Sequence, residues 1–125
     1  MTREFHLFRC NICTQLIEVI NQNAGQLVCC DEPMELLKEN LANTENKHYA
    51  HIEELDEQRK LIKFNHEMTE AHYIEFVEAI SLDGRYLKRK HYLPNDILEL
   101  ELKCNCTEGF YIRLYCNRDG VWVTK

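Results

Sequence analysis

The sequence lacks a long apolar run, a long basic run, an internal repeat and any low-complexity segment. A helix that spans a bilayer needs roughly 18 apolar residues in succession, so we expect no membrane span. The opening stretch MTREFHLFRC has no apolar core of the kind found in signal peptides, and the expected location is the cytoplasm. The net charge is −6, and basic residues are interleaved with acidic ones, which argues against a nucleic-acid partner.

Cysteine, by contrast, is abundant, with seven residues in a chain of 125. Disulfides explain them poorly, because cytoplasmic thiols stay reduced and an odd number leaves one unpaired. Metal binding is the better explanation. Four of the cysteines lie in residues 10–30 and three in residues 104–116. The segment of about 36 residues that holds the first group is too short for a self-sufficient core, so it needs a staple that these cysteines can supply.

Downstream of this segment, apolar and polar residues alternate with a period of two, which indicates β-strands. The stretch HYIEFVEAI predicts a strand with His72, Ile74 and Phe76 on one face. The stretch DILELELKCNC predicts another strand, whose two faces carry Leu98, Leu100 and Leu102 on one side and Ile97, Glu99 and Glu101 on the other.

Turn signals connect these strands. The pair Asp83-Gly84 predicts a hairpin, and EELDEQRKLIKF predicts a second one around its polar middle. Short strands at this spacing predict a mainly β protein with an antiparallel sandwich or barrel. PMELLKENLA predicts a short helix, and residues 37–45 predict a loop or linker. We therefore expect a small module in residues 1–37 and a β domain in residues 38–125.

The first group of cysteines has the spacing of a metal site. Cys10 and Cys13 form a C-x-x-C pair, and Cys29 and Cys30 follow a turn signal, NAGQ. Four thiolates suit a tetrahedral iron or zinc ion. Neighbouring side chains diverge on a regular strand, so the backbone must bend for both adjacent cysteines to reach one metal. On residue chemistry alone, a zinc staple, a redox-active C-x-x-C pair and unliganded cysteines stay open as alternatives.

The motifs CNIC and CCDEPM resemble the desulforedoxin module, whose signature is C-x-x-C, a short hairpin and C-C-x-E-P-M. The resemblance covers residues 5–37. It implies a rubredoxin-like hairpin module that binds one iron through the four cysteines named above. Thr14 and Asp31 stand where glycine is usual, and a residue with a side chain is expected to strain such a turn.

The motifs NKHYAHIE, FNHEMTEAHYIEF and YCNRDGVW resemble those of the neelaredoxin or superoxide reductase domain, over about residues 44–123. The family motifs are E-K-H-V-P, H-P-M with a histidine six residues after the first, and C-N-x-H-G. By matching position, His48, His66, His72 and Cys116 fall on ligands of a second iron. The family holds this iron with a square of histidines and an axial cysteine, and Lys47 matches its lysine beside the open sixth position.

Joined, the two resemblances are those of desulfoferrodoxin. They imply two irons per chain, an antiparallel immunoglobulin-like sandwich of seven strands, and a homodimer. The implied activity is superoxide reductase, in which superoxide gains one electron from a rubredoxin-like donor and two protons to give hydrogen peroxide. Neutral imidazoles leave the charge of iron largely uncompensated, an axial thiolate donates electron density to it, and the Lys47 ammonium would attract the anion.

One expected ligand is missing, because Asp119 stands where the family has its fourth histidine, three residues after Cys116. Asp119 could replace the imidazole as an oxygen ligand, or the site could be incomplete or hold another metal. The third explanation is that His51 or His91 fills the gap. A carboxylate ligand would favour ferric iron, lower the reduction potential and weaken the attraction for superoxide.

Other departures also surround the second site. Asn46 replaces the family's glutamate before the lysine, with Glu45 one residue away, and Ala50 replaces the proline after the first histidine. The alternative function is therefore a non-catalytic iron electron-transfer protein with a degenerate second site. A purely structural protein with zinc in the first site is a third candidate.

Two further cysteines, Cys104 and Cys106, are predicted to continue the buried row of their strand. A redox-active or metal-binding thiol pair is the alternative for them. Trp122 is expected to lie in the core or to line the site.

Overall fold

The computed structural model describes residues 5–21, 25–103 and 109–125. The chain divides into two compact units, one within Arg3–Lys38 and one within Glu39–Lys125. All regular structure in the described residues is β, and no helix among them is long and apolar enough to cross a membrane. The prediction of a mainly β protein is confirmed.

Among its described residues, the smaller unit contains five short strands: β1 (Leu7–Arg9), β2 (Leu16–Glu18), β3 (Val28–Cys29), β4 (Glu32–Pro33) and β5 (Glu35–Leu36). Strands β2, β1 and β5 form one antiparallel sheet in that order, and β3 pairs with β4. Its buried apolar side chains are Phe5, Leu7, Cys10 and Met34. A core of four described side chains gives little hydrophobic stabilisation, which is consistent with the expectation that the cysteines supply a staple.

The larger unit contains eight described strands: β6 (Glu39–Leu41), β7 (His51–Glu54), β8 (Arg59–Lys63), β9 (Ile74–Ser81), β10 (Leu87–His91), β11 (Glu99–Lys103), β12 (Phe110–Cys116) and β13 (Gly120–Thr124). One sheet has the order β10-β9-β12-β13-β6 and the other the order β11-β8-β7. All pairs are antiparallel except β6 with β13. The expected sandwich has seven strands. The additional strand is β6, a short strand that pairs in parallel with β13 at the edge of the five-stranded sheet.

The two sheets of the larger unit enclose one hydrophobic core. The three-stranded sheet contributes Ile62, Leu100 and Leu102, and the five-stranded sheet contributes Ile112 and Leu114 among others. All five are no more than 7% exposed. Burying a side chain of this kind contributes about 1.5–3 kcal/mol relative to leaving it in water. The predicted apolar row of Leu98, Leu100 and Leu102 is confirmed, and Ile97 on the other face is 78% exposed.

A β-bulge lies where β9 and β12 approach the ligand residues. Tyr115 pairs with Phe76, but the next residue, Cys116, pairs with Ile74, so β9 has one extra residue at Glu75. Ile74 and Cys116 therefore both join the core, whereas Phe76 stacks on Tyr115 outside it. The predicted grouping of Ile74 with Phe76 on one face is wrong, because the bulge reverses the alternation between them.

The outer face of the five-stranded sheet carries buried charges. Glu78 and Arg113 are 0% and 1% exposed, and they pair across the strands with a distance of 2.7 Å between Oε1 and Nε. Arg89 contacts the other carboxylate oxygen of Glu78 at 2.9 Å, and Glu39 contacts Arg113 at 3.0 Å. Each buried charge thus has an opposite charge at hydrogen-bonding distance, which is the condition for keeping it in a low-dielectric interior.

Both predicted hairpins are present. Strands β9 and β10 are joined at Asp83-Gly84, where Gly84 has a φ of 73°, and strands β7 and β8 are joined at a turn capped by Asp56. The short helix predicted in PMELLKENLA is wrong, since β5 and β6 occupy this stretch. Its apolar residues pair with neighbouring strands, and tertiary pairing overrides a weak local helix propensity. Strand β6 also lies within the loop predicted at residues 37–45.

Candidate metal centres

The first candidate centre consists of the four cysteines of the smaller unit: Cys10, Cys13, Cys29 and Cys30. Their sulfur atoms all lie within 4.8 Å of one another. The Cys13 and Cys29 sulfurs are 3.6 Å apart, and the Cys29 and Cys30 sulfurs are 3.9 Å apart. In a tetrahedral site with metal–sulfur bonds of about 2.3 Å, the sulfurs are about 3.8 Å apart. The spacing thus matches a four-thiolate metal site.

The backbone bends at the residues that bring these sulfurs together. Cys30 and Asp31 have φ values of 52° and 61°, and Thr14 has a φ of 68°. This bend lets the adjacent residues Cys29 and Cys30 face the same point, as the sequence required. Left-handed backbone costs a residue with a side chain about 1–2 kcal/mol, so the expected strain at Thr14 and Asp31 is present.

The four thiols also perturb one another electrostatically. The backbone N–H groups of Cys13 and Ile12 lower the pKa of Cys10 to about 6. Contacts with the Cys13 and Cys10 thiols raise the pKa of Cys29 to about 12 and also raise that of Cys30. Cys29 and Cys30 therefore retain their protons unless a cation replaces them, whereas Cys10 is readily ionised, so the donor set fits a metal ion. Thiolates favour iron or zinc over harder cations.

The second candidate centre lies in loops at one end of the larger unit. His48 precedes β7, His66 lies between β8 and β9, and His72 comes two residues before β9. Cys116 ends β12, and Asp119 lies in the tight turn to β13. Sequence order scatters these residues over about 70 positions, and the antiparallel pairing of the strands brings them to one place.

A single side chain, Asn117, joins two of these loops. Its carboxamide oxygen accepts a hydrogen bond from the Tyr73 N–H at 2.9 Å, and its carboxamide nitrogen donates to the Ala71 carbonyl at 3.2 Å. The Asn117 N–H also donates to the Tyr73 carbonyl at 3.1 Å. These bonds hold the loop before β9, with its histidine, against the turn that carries Asp119.

The donor atoms of the five residues converge. One carboxylate oxygen of Asp119, Oδ2, lies 3.0 Å from His72 Nε2, 3.2 Å from His48 Nε2 and 3.7 Å from Cys116 Sγ. His66 Nε2 lies 3.6 Å from the same sulfur. All five donor atoms fall within 4.8 Å of one another.

The other ring nitrogen of each histidine faces an oxygen atom. His48 Nδ1 lies 2.9 Å from the Asn46 side-chain oxygen, and His66 Nδ1 lies 2.5 Å from the Glu67 carbonyl. His72 Nδ1 lies 2.7 Å from the Glu67 carboxylate. These oxygens are acceptors, so in the neutral rings each Nδ1 carries the proton and each Nε2 presents a lone pair.

This arrangement tests whether the residues fit a metal. His48 Nε2 is buried, and no hydrogen-bond geometry satisfies it among the described residues, although the Asp119 oxygen is close. Lone pairs of nitrogen, oxygen and sulfur that point at one another repel unless a cation lies between them. Three imidazoles, a thiolate and a carboxylate are ligands that iron accepts, and the residues therefore fit the iron that the resemblance implies.

Burial shapes the protonation of this cluster. Burial lowers the pKa of His48 to about 4, with a further contribution from nearby His66, and burial also raises the pKa of the Cys116 thiol. Burial opposes a low pKa at Asp119, but its contact with His72 and the charge of Lys47 outweigh that and lower it. The Lys47 ammonium lies 3.5 Å from Asp119 Oδ2. The imidazole of His48 is thus neutral and Asp119 is ionised near neutral pH.

Trp122 forms one wall of the centre. Its indole stacks on the His48 ring with 4.8 Å between centroids and 11° between planes, and its N–H donates to the Asp119 carbonyl at 2.9 Å. It also packs against the core, so both expected roles apply.

The alternative histidines lie elsewhere. His51 is exposed on β7 and contacts Tyr49 edge to face, and His91 is exposed at the end of β10 beside Phe76. Cys104 and Cys106 lie outside the described residues, so the prediction for them is untested.

Two residues that hold the histidines were not recognised from the sequence. Asn46 was identified only as the loss of an acid, yet its side-chain oxygen accepts hydrogen bonds at the start of the His48 loop. Glu67 contacts two histidines. The available signal for Glu67 was its position in HEM, where the family motif H-P-M has proline.

Comparisons with known proteins agree with this architecture. Residues 2–37 match the family described as Desulfoferrodoxin, N-terminal domain. A desulfoferrodoxin homolog from Methanothermobacter thermautotrophicus is 39% identical over 98% of this chain and 99% of its own length. The desulfoferrodoxin of Nitratidesulfovibrio vulgaris is 34% identical over 100% of this chain and 99% of its own.

Solved structures show the same fold. The superoxide reductase from Treponema pallidum superposes with a TM-score of 0.75 at 20% identity, over 98% of this chain and 99% of its own. The superoxide reductase from Nanoarchaeum equitans has a TM-score of 0.55 at 18% identity, over 70% of this chain and 96% of its own. With full-length relatives at 39% and 34% identity and this shared fold, the chain belongs to the desulfoferrodoxin family.

Proposed function

We propose that this chain is a non-haem iron superoxide reductase whose reaction takes place at the second centre. In this proposal superoxide, one electron and two protons give hydrogen peroxide, and a rubredoxin-like protein supplies the electron. Family membership supports the reaction class. The observation that carries the proposal is the convergence of five donor atoms, from His48, His66, His72, Cys116 and Asp119, beside the Lys47 ammonium.

Each residue has a role that follows from its chemistry. The neutral imidazoles would hold the metal without cancelling its charge, and Cys116, fully buried on the core side of the cluster, would supply electron density to it as a thiolate. Bound iron would supply the transferable electron and a positive charge for the superoxide anion. Lys47 is half exposed at the rim, where its ammonium can attract the anion from solvent.

We assign Asp119 as the oxygen ligand that takes the place of the fourth histidine. Its Oδ2 atom lies 3.0 Å from His72 Nε2 and 3.2 Å from His48 Nε2. A carboxylate stabilises ferric iron, so we expect a lower potential than an all-imidazole plane would give. The Lys47 charge, 3.5 Å away, offsets part of that effect.

The smaller module, residues 1–37, is proposed to bind the first iron through Cys10, Cys13, Cys29 and Cys30 and to store an electron. Residues 38–125 form the catalytic sandwich in this proposal. We also expect a homodimer, since the short exposed strands of a module this small gain from pairing.

A second candidate function is electron transfer without catalysis. The Asp119 carboxylate favours it, because a negative ligand disfavours both ferrous iron and an approaching anion. The four-cysteine centre would then carry the function, and the sandwich would serve as a scaffold.

The experiment begins with iron per chain and the visible spectra of the oxidised and reduced protein. Two irons and a thiolate-to-ferric band from Cys116 support the proposal. The reduced protein is then mixed with superoxide generated by pulse radiolysis, with Cys116→Ser as the matched control.

A reductase gives one hydrogen peroxide for each superoxide consumed and one oxidised second site. One iron per chain with only the four-cysteine spectrum would establish the electron-transfer alternative instead. Release of dioxygen with half a peroxide per superoxide would indicate dismutation and would also refute the proposal.

A further inference from the structure

Glu67 contacts two of the three histidines of the second centre with two different groups. Its backbone carbonyl lies 2.5 Å from His66 Nδ1, and its carboxylate Oε1 lies 2.7 Å from His72 Nδ1. The His72 side chain is 5% exposed, whereas that of Glu67 is 54% exposed. A carboxylate at the surface thus contacts Nδ1, the ring nitrogen of the buried His72 imidazole that faces away from the donor cluster.

The contact determines which nitrogen of His72 faces the cluster with a lone pair. A carboxylate is only an acceptor, so His72 Nδ1 must carry a proton, and the lone pair is then on Nε2. That nitrogen is the one that lies 3.0 Å from the Asp119 oxygen, inside the donor cluster. A carboxylate behind a metal-binding imidazole also makes the ring a stronger electron donor.

Hydrogen bonds also hold the loop between Glu67 and His72. Thr69 closes the intervening loop: its side-chain oxygen accepts from the His72 N–H at 3.1 Å. The loop that connects Glu67 to His72 is therefore braced at both ends.

We propose that Glu67 is a positioning residue of the second centre, which orients His66 through its carbonyl and orients and polarises His72 through its carboxylate. The inference rests on the proposed metal-binding role of these histidines. The chain departs here from the family motif H-P-M, which has proline at the position of Glu67 and therefore offers the carbonyl alone. The chain thus places two carboxylates on opposite sides of His72, Glu67 behind the ring and Asp119 in front.

The test separates the carbonyl from the carboxylate. Glu67→Pro restores the family residue and keeps the carbonyl, Glu67→Gln keeps a side-chain acceptor without its charge, and Glu70→Ala removes an exposed acid of the same loop as a control. The full chain is first given one equivalent of Zn²⁺, a colourless ion that prefers the four thiolates. Co²⁺ is then titrated into the second centre against a competing chelator, and its thiolate-to-metal band is recorded.

We expect Glu67→Pro to weaken Co²⁺ binding by about 10–100-fold, the usual loss when such a partner of a metal-binding histidine is removed. Glu67→Gln should keep the affinity within about tenfold, and its band should move to lower energy because a less polarised His72 donates less charge to the metal. A residue with only a structural role would not shift that band. Glu70→Ala should match the parent protein in both measurements.

The possible outcomes distinguish failure of this inference from failure of the proposed function. Parent-like affinity and an unshifted band in both Glu67 variants would overturn the inference while leaving the proposed function intact. If Glu67→Pro does not fold, the band of Glu67→Gln alone decides the matter. Expected shifts in a protein that does not react with superoxide would uphold the inference and refute the proposed function. A parent chain that binds no Co²⁺ at the second centre would refute both.

Discussion

Replacing Asp119 with alanine gives the sharpest test of the second centre. Asp119 supplies one of five donor atoms that lie within 4.8 Å of one another, and its Oδ2 lies 3.0 Å and 3.2 Å from two histidine nitrogens. If it is a ligand, Asp119→Ala must weaken metal binding far more than the loss of a surface acid would.

The magnitude follows from ordinary metal-site energies. Zinc sites with four ligands bind with about 10–16 kcal/mol, which is about 3 kcal/mol for each ligand, or about 100-fold in affinity. The ion pair of Asp119 with Lys47 is partly exposed at both ends, so its loss accounts for only about 0–1 kcal/mol. We therefore expect Co²⁺ to bind about 100-fold more weakly in Asp119→Ala.

The assay is a Co²⁺ titration of the full chain after one equivalent of Zn²⁺ has filled the four-cysteine site. Asp119→His, which restores the family ligand, should bind Co²⁺ within about tenfold of the parent and should react faster with superoxide, because one negative charge is gone. Arg118→Ala, at the exposed neighbouring position of the same turn, is the matched control. An affinity for Asp119→Ala within threefold of the parent would show that Asp119 is not a ligand.

Three further predictions concern stability. Thr14→Gly and Asp31→Gly should each stabilise the smaller unit by about 0.5–1 kcal/mol, read as slower loss of metal colour on heating, since both residues have left-handed φ angles. Glu78→Gln should lower the free energy of unfolding in urea by about 3–5 kcal/mol, because it removes the carboxylate paired with buried Arg113; a loss below 1 kcal/mol would contradict this. The free energy of unfolding of the metal-free protein should fall by up to about 3 kcal/mol as the pH falls from 6.5 towards 4. Burial depresses the pKa of His48, so protonation in this range favours the unfolded chain. His48→Gln should lack this part of the pH dependence.

Local patterns predicted much of the fold. The period-two row of Leu98, Leu100 and Leu102 identified a strand and its buried face, and Asp83-Gly84 identified a hairpin whose Gly84 has the positive φ that such turns need. These features depend on residues that are neighbours in the chain. The helix expected in PMELLKENLA failed because the pairing of β6 with the distant strand β13 decides its conformation.

The two candidate centres also differ in how much the sequence predicted. The spacing of the cysteines identified a four-thiolate centre, including the need for a backbone bend, because all its ligands lie within one short hairpin module. For the second centre, sequence motifs could name candidate ligands but could not place Asp119 relative to them. That placement depends on the turn before β13, and on the β9–β12 bulge and the Asn117 contacts, which join segments more than 40 residues apart.

By itself the sequence determined the β character, the hairpins, the cysteine cluster and the motifs of the family, because each of these depends on residues that lie a few positions apart in the chain. Only the tertiary structure decided that the Asp119 oxygen lies among the histidine nitrogens and that Glu67 lies behind His72. Which nitrogen of an imidazole presents its lone pair depends on the acceptor that the folded chain places at the other nitrogen, and no spacing in the sequence records that.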